Sequence, residues 1–170
     1  MLPKWRKKIK LGEITEIINW GTPSTKNSKY WNGDIPWITP KDLALQKDKK
    51  FISKWEKNIS SLWLQKSSAK LVPKWAIILS SRAPVWYVAI ASNMLSTNQW
   101  CKSIVCREDI IDNNFLYYWL KTNTKLLEQI SWWATFKELR TESLKSLPIL
   151  LPLSQSNKKS HQFLVNMMIL

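Results

Sequence analysis

Hydrophobic and polar positions alternate in two distinct rhythms along the chain. From Leu71 to Ala91 the run "LVPKWAIILSSRAPVWYVAIA" places two short apolar stretches, "AIILSS" and "YVAIA", around a polar loop "RAPV", and predicts a β-hairpin. "KSIVCR" at 102–107 is a further strand by its β-branched content. From 113 to 131, "NNFLYYWLKTNTKLLEQIS" carries apolar residues at 115, 116, 119, 120, 126, 127 and 130. That helical spacing predicts about five turns, opened by an Asn cap.

The remaining elements are shorter. "IKLGEITEII" (9–18) carries a helical or strand-like apolar pattern and runs into the turn "NWGTPST". In "KYWNGDIPWITPKDL" we read a turn at Asn32-Gly33-Asp34, a strand through Ile35–Ile38 and a helix start at Thr39-Pro40. Gln46 to Lys57 is lysine-rich and reads as an exposed excursion, and "ISSLWLQKSSAKLVPKW" holds a short helix or turn. "TESLKSLPILLPL" gives a short helix and a buried strand broken by prolines. Short strands and helices mix without a repeat or a regular βαβ rhythm, so the predicted fold is a single compact α+β domain.

Charge narrows the partner. Among 170 residues, 26 Lys and Arg stand against 12 Asp and Glu, a formal charge of +14. Such an excess favours a polyanion, nucleic acid ahead of an anionic membrane surface, although a generally basic proteome would raise the charge too. No apolar run approaches a membrane-spanning length, and "MLPKWRKKIKLGEI" lacks the apolar core of a secretory signal. A cytoplasmic protein is expected. Cys101 and Cys106 stand without a CxxC pair or a neighbouring histidine, and read as reduced and inert. His161 is the one histidine, which leaves little room for histidine-based acid–base or zinc chemistry.

Composition holds an oddity. Three glycines stand against twelve tryptophans, whereas glycine ordinarily supplies about 7% of residues. Several tryptophans occupy turn and cap locations, where glycine has a mechanism and an indole has none. Trp75 follows Pro73-Lys74, Trp86 follows Pro84-Val85, and Trp132-Trp133 close a helix. We read Trp20, Trp55, Trp63, Trp75, Trp86, Trp100, Trp132 and Trp133 as positions encoded by UGA, which some bacterial lineages translate as glycine. The rival reading makes them surface aromatics that stack on bases. On the first reading, indoles there should sit exposed or crowded in turns. Trp5, Trp31, Trp37 and Trp119 lie in apolar or aromatic settings instead.

The blocks "KLGEIT", "GTPST", "KYWNGDIPWITPKDL", "ILSSRAPVWYVAIA", "STNQWCKSIV", "NNFLYYWLK" and "LKSLPILLPLS", in that order, resemble a target-recognition domain of the specificity subunit of type I restriction–modification systems. The resemblance covers roughly 5–155, and in it several of the tryptophan positions are commonly glycine. It implies one DNA-reading half, with residues 1–153 as the recognition domain and 154–170 as the start of a truncated spacer helix. Full-length members pair two such halves through long helices that dock methyltransferase subunits. The expected partners are double-stranded DNA, methyltransferase and restriction subunits, and a second recognition half.

A sequence reader needs cations for phosphates and polar side chains for base edges. The polar turns offer Thr22, Ser24, Thr25, Lys26 and Lys29, then Lys41, Ser81, Arg82, Asn98, Gln99 and Lys137. Arg82 leads, because its guanidinium can bridge guanine O6/N7 or a phosphate; the alternative pairs it with a carboxylate such as Asp42. Asn98 and Gln99 can read adenine through an amide, or cap backbone groups. Lys47, Lys49, Lys50, Lys54 and Lys57 are phosphate contacts or a solvated face.

No catalytic, metal or cofactor residue is expected. The acids are scattered rather than clustered for metal-dependent cleavage, and neither a nucleotide-binding glycine turn nor a base-flipping Asn-Pro-Pro motif occurs. The alternatives are a protein-interaction module or remnant of the same fold without sequence preference, and the recognition domain of a combined restriction–methylation enzyme. Met1 stands only a few residues before the domain, which disfavours the last.

Overall fold

The computed structural model describes residues 6–152, apart from 20, 25, 68, 83–86 and 133–137. The chain enters on β1 (Arg6–Lys10), makes a single helical turn α1 (Leu11–Ile14) and leaves on β2 (Thr15–Ile18). The ambiguous 9–18 pattern is therefore all three elements in succession. β3 (Trp31–Ile38), α2 (Pro40–Leu45), β4 (Phe51–Ile52), β5 (Lys57–Ile59) and α3 (Ser61–Lys66) follow. The predicted hairpin is β6 (Ile77–Ser80) and β7 (Val88–Ala91). β8 (Ser96–Thr97), β9 (Cys101–Cys106), α4 (Asn113–Thr122), α5 (Thr124–Trp132), α6 (Thr141–Lys145) and β10 (Pro148–Pro152) complete the α+β fold.

A five-stranded sheet in the order β2-β9-β6-β7-β4 is the frame. Its strands are antiparallel except for β4, which runs parallel to β7 at the edge. Alternate side chains point to opposite faces, and both faces are covered. Ile77, Leu79, Val88, Ile90 and Ile104 pack with Phe115, Leu116, Leu120 and Leu127 of the helices. Ile78, Ala89, Ala91 and Cys101 pack with Ile38, Leu43 and Ile52 on the other side. Burial on two faces explains why "IILS" and "VAIA" are apolar runs rather than alternations. Each fully buried Leu or Ile contributes about 1.5–3 kcal/mol.

β3 also belongs to a three-stranded sheet, β5-β3-β8, under which Trp37, Ile59 and Trp63 form a small core of their own. β1 and β10 pair as a separate antiparallel ribbon, so the two ends of the described chain meet. The prolines that interrupt the last apolar run lie at the ends of β10, where a two-stranded ribbon tolerates the missing N–H.

Three expectations change. The helix over 113–131 is broken at Asn123, whose side-chain amide donates to the Trp119 carbonyl while Thr122 Oγ1 bonds the Tyr118 and Trp119 carbonyls. These local bonds compete with the helical ladder. Its N-cap is Asp112, which accepts from the N–H groups of Asn114 and Phe115. The Asn32-Gly33-Asp34 turn lies inside β3 as an irregularity between Trp31 and Ile35. Asn32 takes φ 58°, and a Cβ on Gly33 would meet the Ser60 Cα at 2.5 Å. The excursion from Gln46 to Lys57 is not wholly exposed, since Ile52 of β4 is fully buried.

The tryptophans divide. Trp75 has φ 75°, a left-handed backbone that favours glycine, and stands 46% exposed. Trp100 is exposed in a turn. Trp63 departs from the expectation, being helical and only 6% exposed. Trp55 is half-buried and donates its Nε1–H to Asn58 Oδ1 at 2.6 Å. Trp20, Trp86, Trp133 and the Trp132 side chain lie outside the described residues.

Candidate nucleic-acid interface

Arg82 follows β6 at one end of the five-stranded sheet and is exposed. A cleft of about 780 Å3 opens beside it. Thr22, Lys41, Arg82, Asn98 and Gln99, from four segments distant in sequence, all line this cleft, with Trp37, Tyr87 and Trp100 as aromatic walls. It combines polar side chains with flat aromatic faces, the two kinds of surface that base edges and base planes take.

Local bonds hold each wall in place. α2 begins with a capping box in which Asp42 accepts from Thr39 N and Thr39 Oγ1, at 2.9 and 2.7 Å. The other Asp42 oxygen accepts from Glu56 N at 2.9 Å. That carboxylate is spoken for, and among the described residues Arg82 forms no ion pair. Its guanidinium lies 5.3 Å from the centroid of the Trp100 ring instead. Lys41, on the first turn of α2, meets Glu56 at 2.6 Å. The hydrogen bond and charge of that pair hold the Glu56 carboxyl below its usual range and raise Lys41. Both groups are solvent-exposed, so the pair adds little to stability.

Asn98 and Gln99 have different roles. Asn98 is 2% exposed, and its Oδ1 accepts from Trp100 N at 3.1 Å, so it holds the turn in the capping manner. Gln99 Oε1 accepts from the Thr22 hydroxyl, which ties together two residues that line the cleft. Ser81 is fully buried and serves as a backbone joint: its N–H donates to the Trp100 carbonyl and its carbonyl accepts from Leu139. Ser24, Lys26 and Lys29 are exposed, and the Ser24 carbonyl accepts from Trp31 Nε1 at 3.1 Å. Thr25 and Lys137 lie outside the described residues.

Lys57 reaches the same rim, 5.6 Å from the Trp31 ring centroid. Lys50 of the same run lies instead against Phe51, Tyr117 and Tyr118, none of which lines the cleft. Trp37 escaped sequence reading. Its Nε1, in a residue lining the cleft, has no hydrogen-bond partner among the described residues. An aromatic within "IPWI" reads as core, which Trp37 is at 7% exposure, and nothing in the pattern marks it as a cleft residue too.

Burial pushes the Cys106 thiol up to about 12, and Cys101 higher still, so both are protonated near neutrality and poorly nucleophilic. Among the described residues no group of three His, Cys, Asp or Glu side chains is placed to hold a metal. No described helix is long and apolar enough to cross a membrane.

A sheet whose ends carry polar loops, with one loop-lined cleft bearing amide, guanidinium and ammonium groups, describes a recognition module. The family described as the type I restriction modification DNA specificity domain matches residues 3–168, and the chain belongs to it. It is 44% identical over 155 residues to the type I restriction enzyme MjaIX specificity subunit of Methanocaldococcus jannaschii, covering 90% of this chain and 35% of that protein. It is 30% identical over 151 residues to the HindI specificity subunit of Haemophilus influenzae, covering 87% of this chain and 32% of that one. The chain therefore spans about a third of the length of these relatives. Its fold matches the HsdS subunit from Thermoanaerobacter tengcongensis with a TM-score of 0.75 at 17% identity, over 99% of this chain and 38% of that one.

Proposed function

We propose that the chain is one target-recognition half of a type I restriction–modification specificity subunit. It binds a short half-site of double-stranded DNA in the cytoplasm and leaves methyl transfer and cleavage to partner methyltransferase and restriction subunits. In this reading residues 1–153 are the reading unit, and the spacer assigned from the sequence to 154–170 lies outside the described residues. The observation that carries this reading is the convergence of Thr22, Lys41, Arg82 and Gln99 on one cleft. Lys26, Lys29, Lys41 and Lys57 provide phosphate contacts, while Arg82 and the Gln99 amide face base edges. Ser81 and Asn98 hold those loops in shape, and Ser24 extends the surface; Thr25 and Lys137 are candidate contacts by sequence alone.

Methylome sequencing of the host with and without the gene tests this directly. A methylated motif that disappears on deletion supports the reading, and an unchanged methylome contradicts it. In vitro, the assembled complex should prefer one half-site, with affinity falling steeply as salt rises.

A further inference from the structure

β9 buries a charge. Lys102 lies between Cys101 and Ser103 in a strand with almost no exposed side chain, and is itself 2% exposed. A buried ammonium is unfavourable unless paired and hydrogen-bonded, and an apolar residue of similar volume often serves stability as well or better. Packing alone therefore gives no reason for a lysine here. Its partners give one.

The ammonium donates to Glu138 Oε1 at 3.3 Å. With the Asn19 amide oriented so that its oxygen faces Lys102, that oxygen lies 3.0 Å from Nζ. The Asn19 nitrogen then donates to the Gln99 and Cys101 carbonyls, both at 3.1 Å. The opposite orientation would set oxygen against those carbonyls. Each partner stands at the root of a different candidate reading loop. Asn19 opens the segment leading to Thr22 and Ser24. Gln99 and Cys101 flank the turn that presents the Gln99 amide. Glu138 is bridged, backbone to backbone, with Arg82.

We propose that Lys102 is a positioning residue: by joining Asn19, the 99–101 turn and Glu138 from below, it sets the mutual placement of the loops that read DNA. It touches no DNA itself. Fixing register between elements is the best-attested use of a buried polar group, and an ammonium with three rotatable donors suits a junction of separate segments. The inference rests on the interface reading above. It adds that sequence discrimination depends on a residue beneath the contact surface.

The experiment uses the full-length subunit assembled with its methyltransferase subunits, on a half-site selected from a randomised duplex pool. The readout is the ratio of affinity for the selected duplex to affinity for random duplex, beside the thermal unfolding midpoint. Lys102→Met combined with Glu138→Gln removes both charges together. We expect the ratio to fall at least tenfold while random-duplex affinity stays within twofold and the midpoint is retained. An unchanged ratio in the folded double variant overturns the proposal, as does an equal fall in both affinities. Should the double variant fail to fold, Asn19→Ala, which removes the exposed amide that joins Lys102 to the Gln99 and Cys101 carbonyls, is read the same way. Arg82→Ala separates the two levels of inference. If it lowers the ratio and the double variant does not, the role of Lys102 alone is overturned. If neither variant changes the ratio, the interface reading fails and takes the proposal with it.

Discussion

The two ends of the β6–β7 hairpin are built from the same sheet and carry similar charge, yet differ in what surrounds that charge. At the Arg82 end, cations stand beside an amide held by Thr22 and a cleft walled by aromatic rings. At the other end Trp75 N donates to the Ala91 carbonyl, and Trp75 meets the Phe51 ring edge-on at 5.8 Å. Lys50 there lies 4.8 Å from the Tyr118 ring centroid, and Lys74 4.8 Å from that of Trp75. Those lysines are placed against aromatic faces, with Leu71 and Met94 exposed among the neighbouring residues. A charge of +14 favours a polyanionic partner but does not say at which end. Polar groups fixed in register distinguish the two.

The largest expected effect separates aromatics by burial. Trp63 packs with Trp37, which lines the cleft, so Trp63→Gly should lower stability by roughly 3–5 kcal/mol in denaturant titration. A loss below 1 kcal/mol would mean that the cleft lacks this aromatic support. Next, Arg82→Ala should weaken half-site binding by about 1–3 kcal/mol, whereas Phe51→Ala at the opposite end should leave it unchanged. Equal losses would erase the distinction. Lys26→Gln and Lys29→Gln together should flatten the log–log salt dependence by about 0.9 per lost contact. Lys50→Gln with Lys74→Gln should leave that slope as it was. The smallest effect is in the opposite direction: Trp75→Gly relieves a left-handed backbone and should stabilise by about 1 kcal/mol, less the lost ring contact with Phe51.

That last pair sharpens the question of the genetic code. Trp75, by its φ of 75° and its exposure, behaves as a glycine position, while Trp63 is packed as an aromatic. UGG codons at the eight positions would end the recoding reading. A UGA at 75 would support it there, and a UGA at 63 would put a glycine into a packed helix.

How much was legible follows from what leaves a pattern. The hairpin and β9 were legible because burial on both faces forces apolar runs between polar loops. The Arg82 loop was legible as the place where those runs stop. The start of α4 was legible from its spacing, but the break at Asn123 was not, since Leu126, Leu127 and Ile130 resume the apolar stripe without a glycine or proline to mark it. Asn98 and Gln99 looked alike as neighbouring amides; only the fold shows one capping a turn and the other facing the cleft. Lys102 was illegible for a general reason. A lysine within a strand reads as a solvent-facing position, and its partners at 19 and 138 are remote in sequence.

Site-specific crosslinking of the assembled complex to its selected half-site tests the central claim most directly. A photoreactive phenylalanine analogue replaces Lys26, an exposed lysine four residues after the cleft-lining Thr22, in one preparation and Met94, exposed after β7, in another. The account predicts DNA adducts from position 26 and none from position 94. Adducts from position 94 with none from position 26 would place the duplex at the wrong end of the sheet and contradict it.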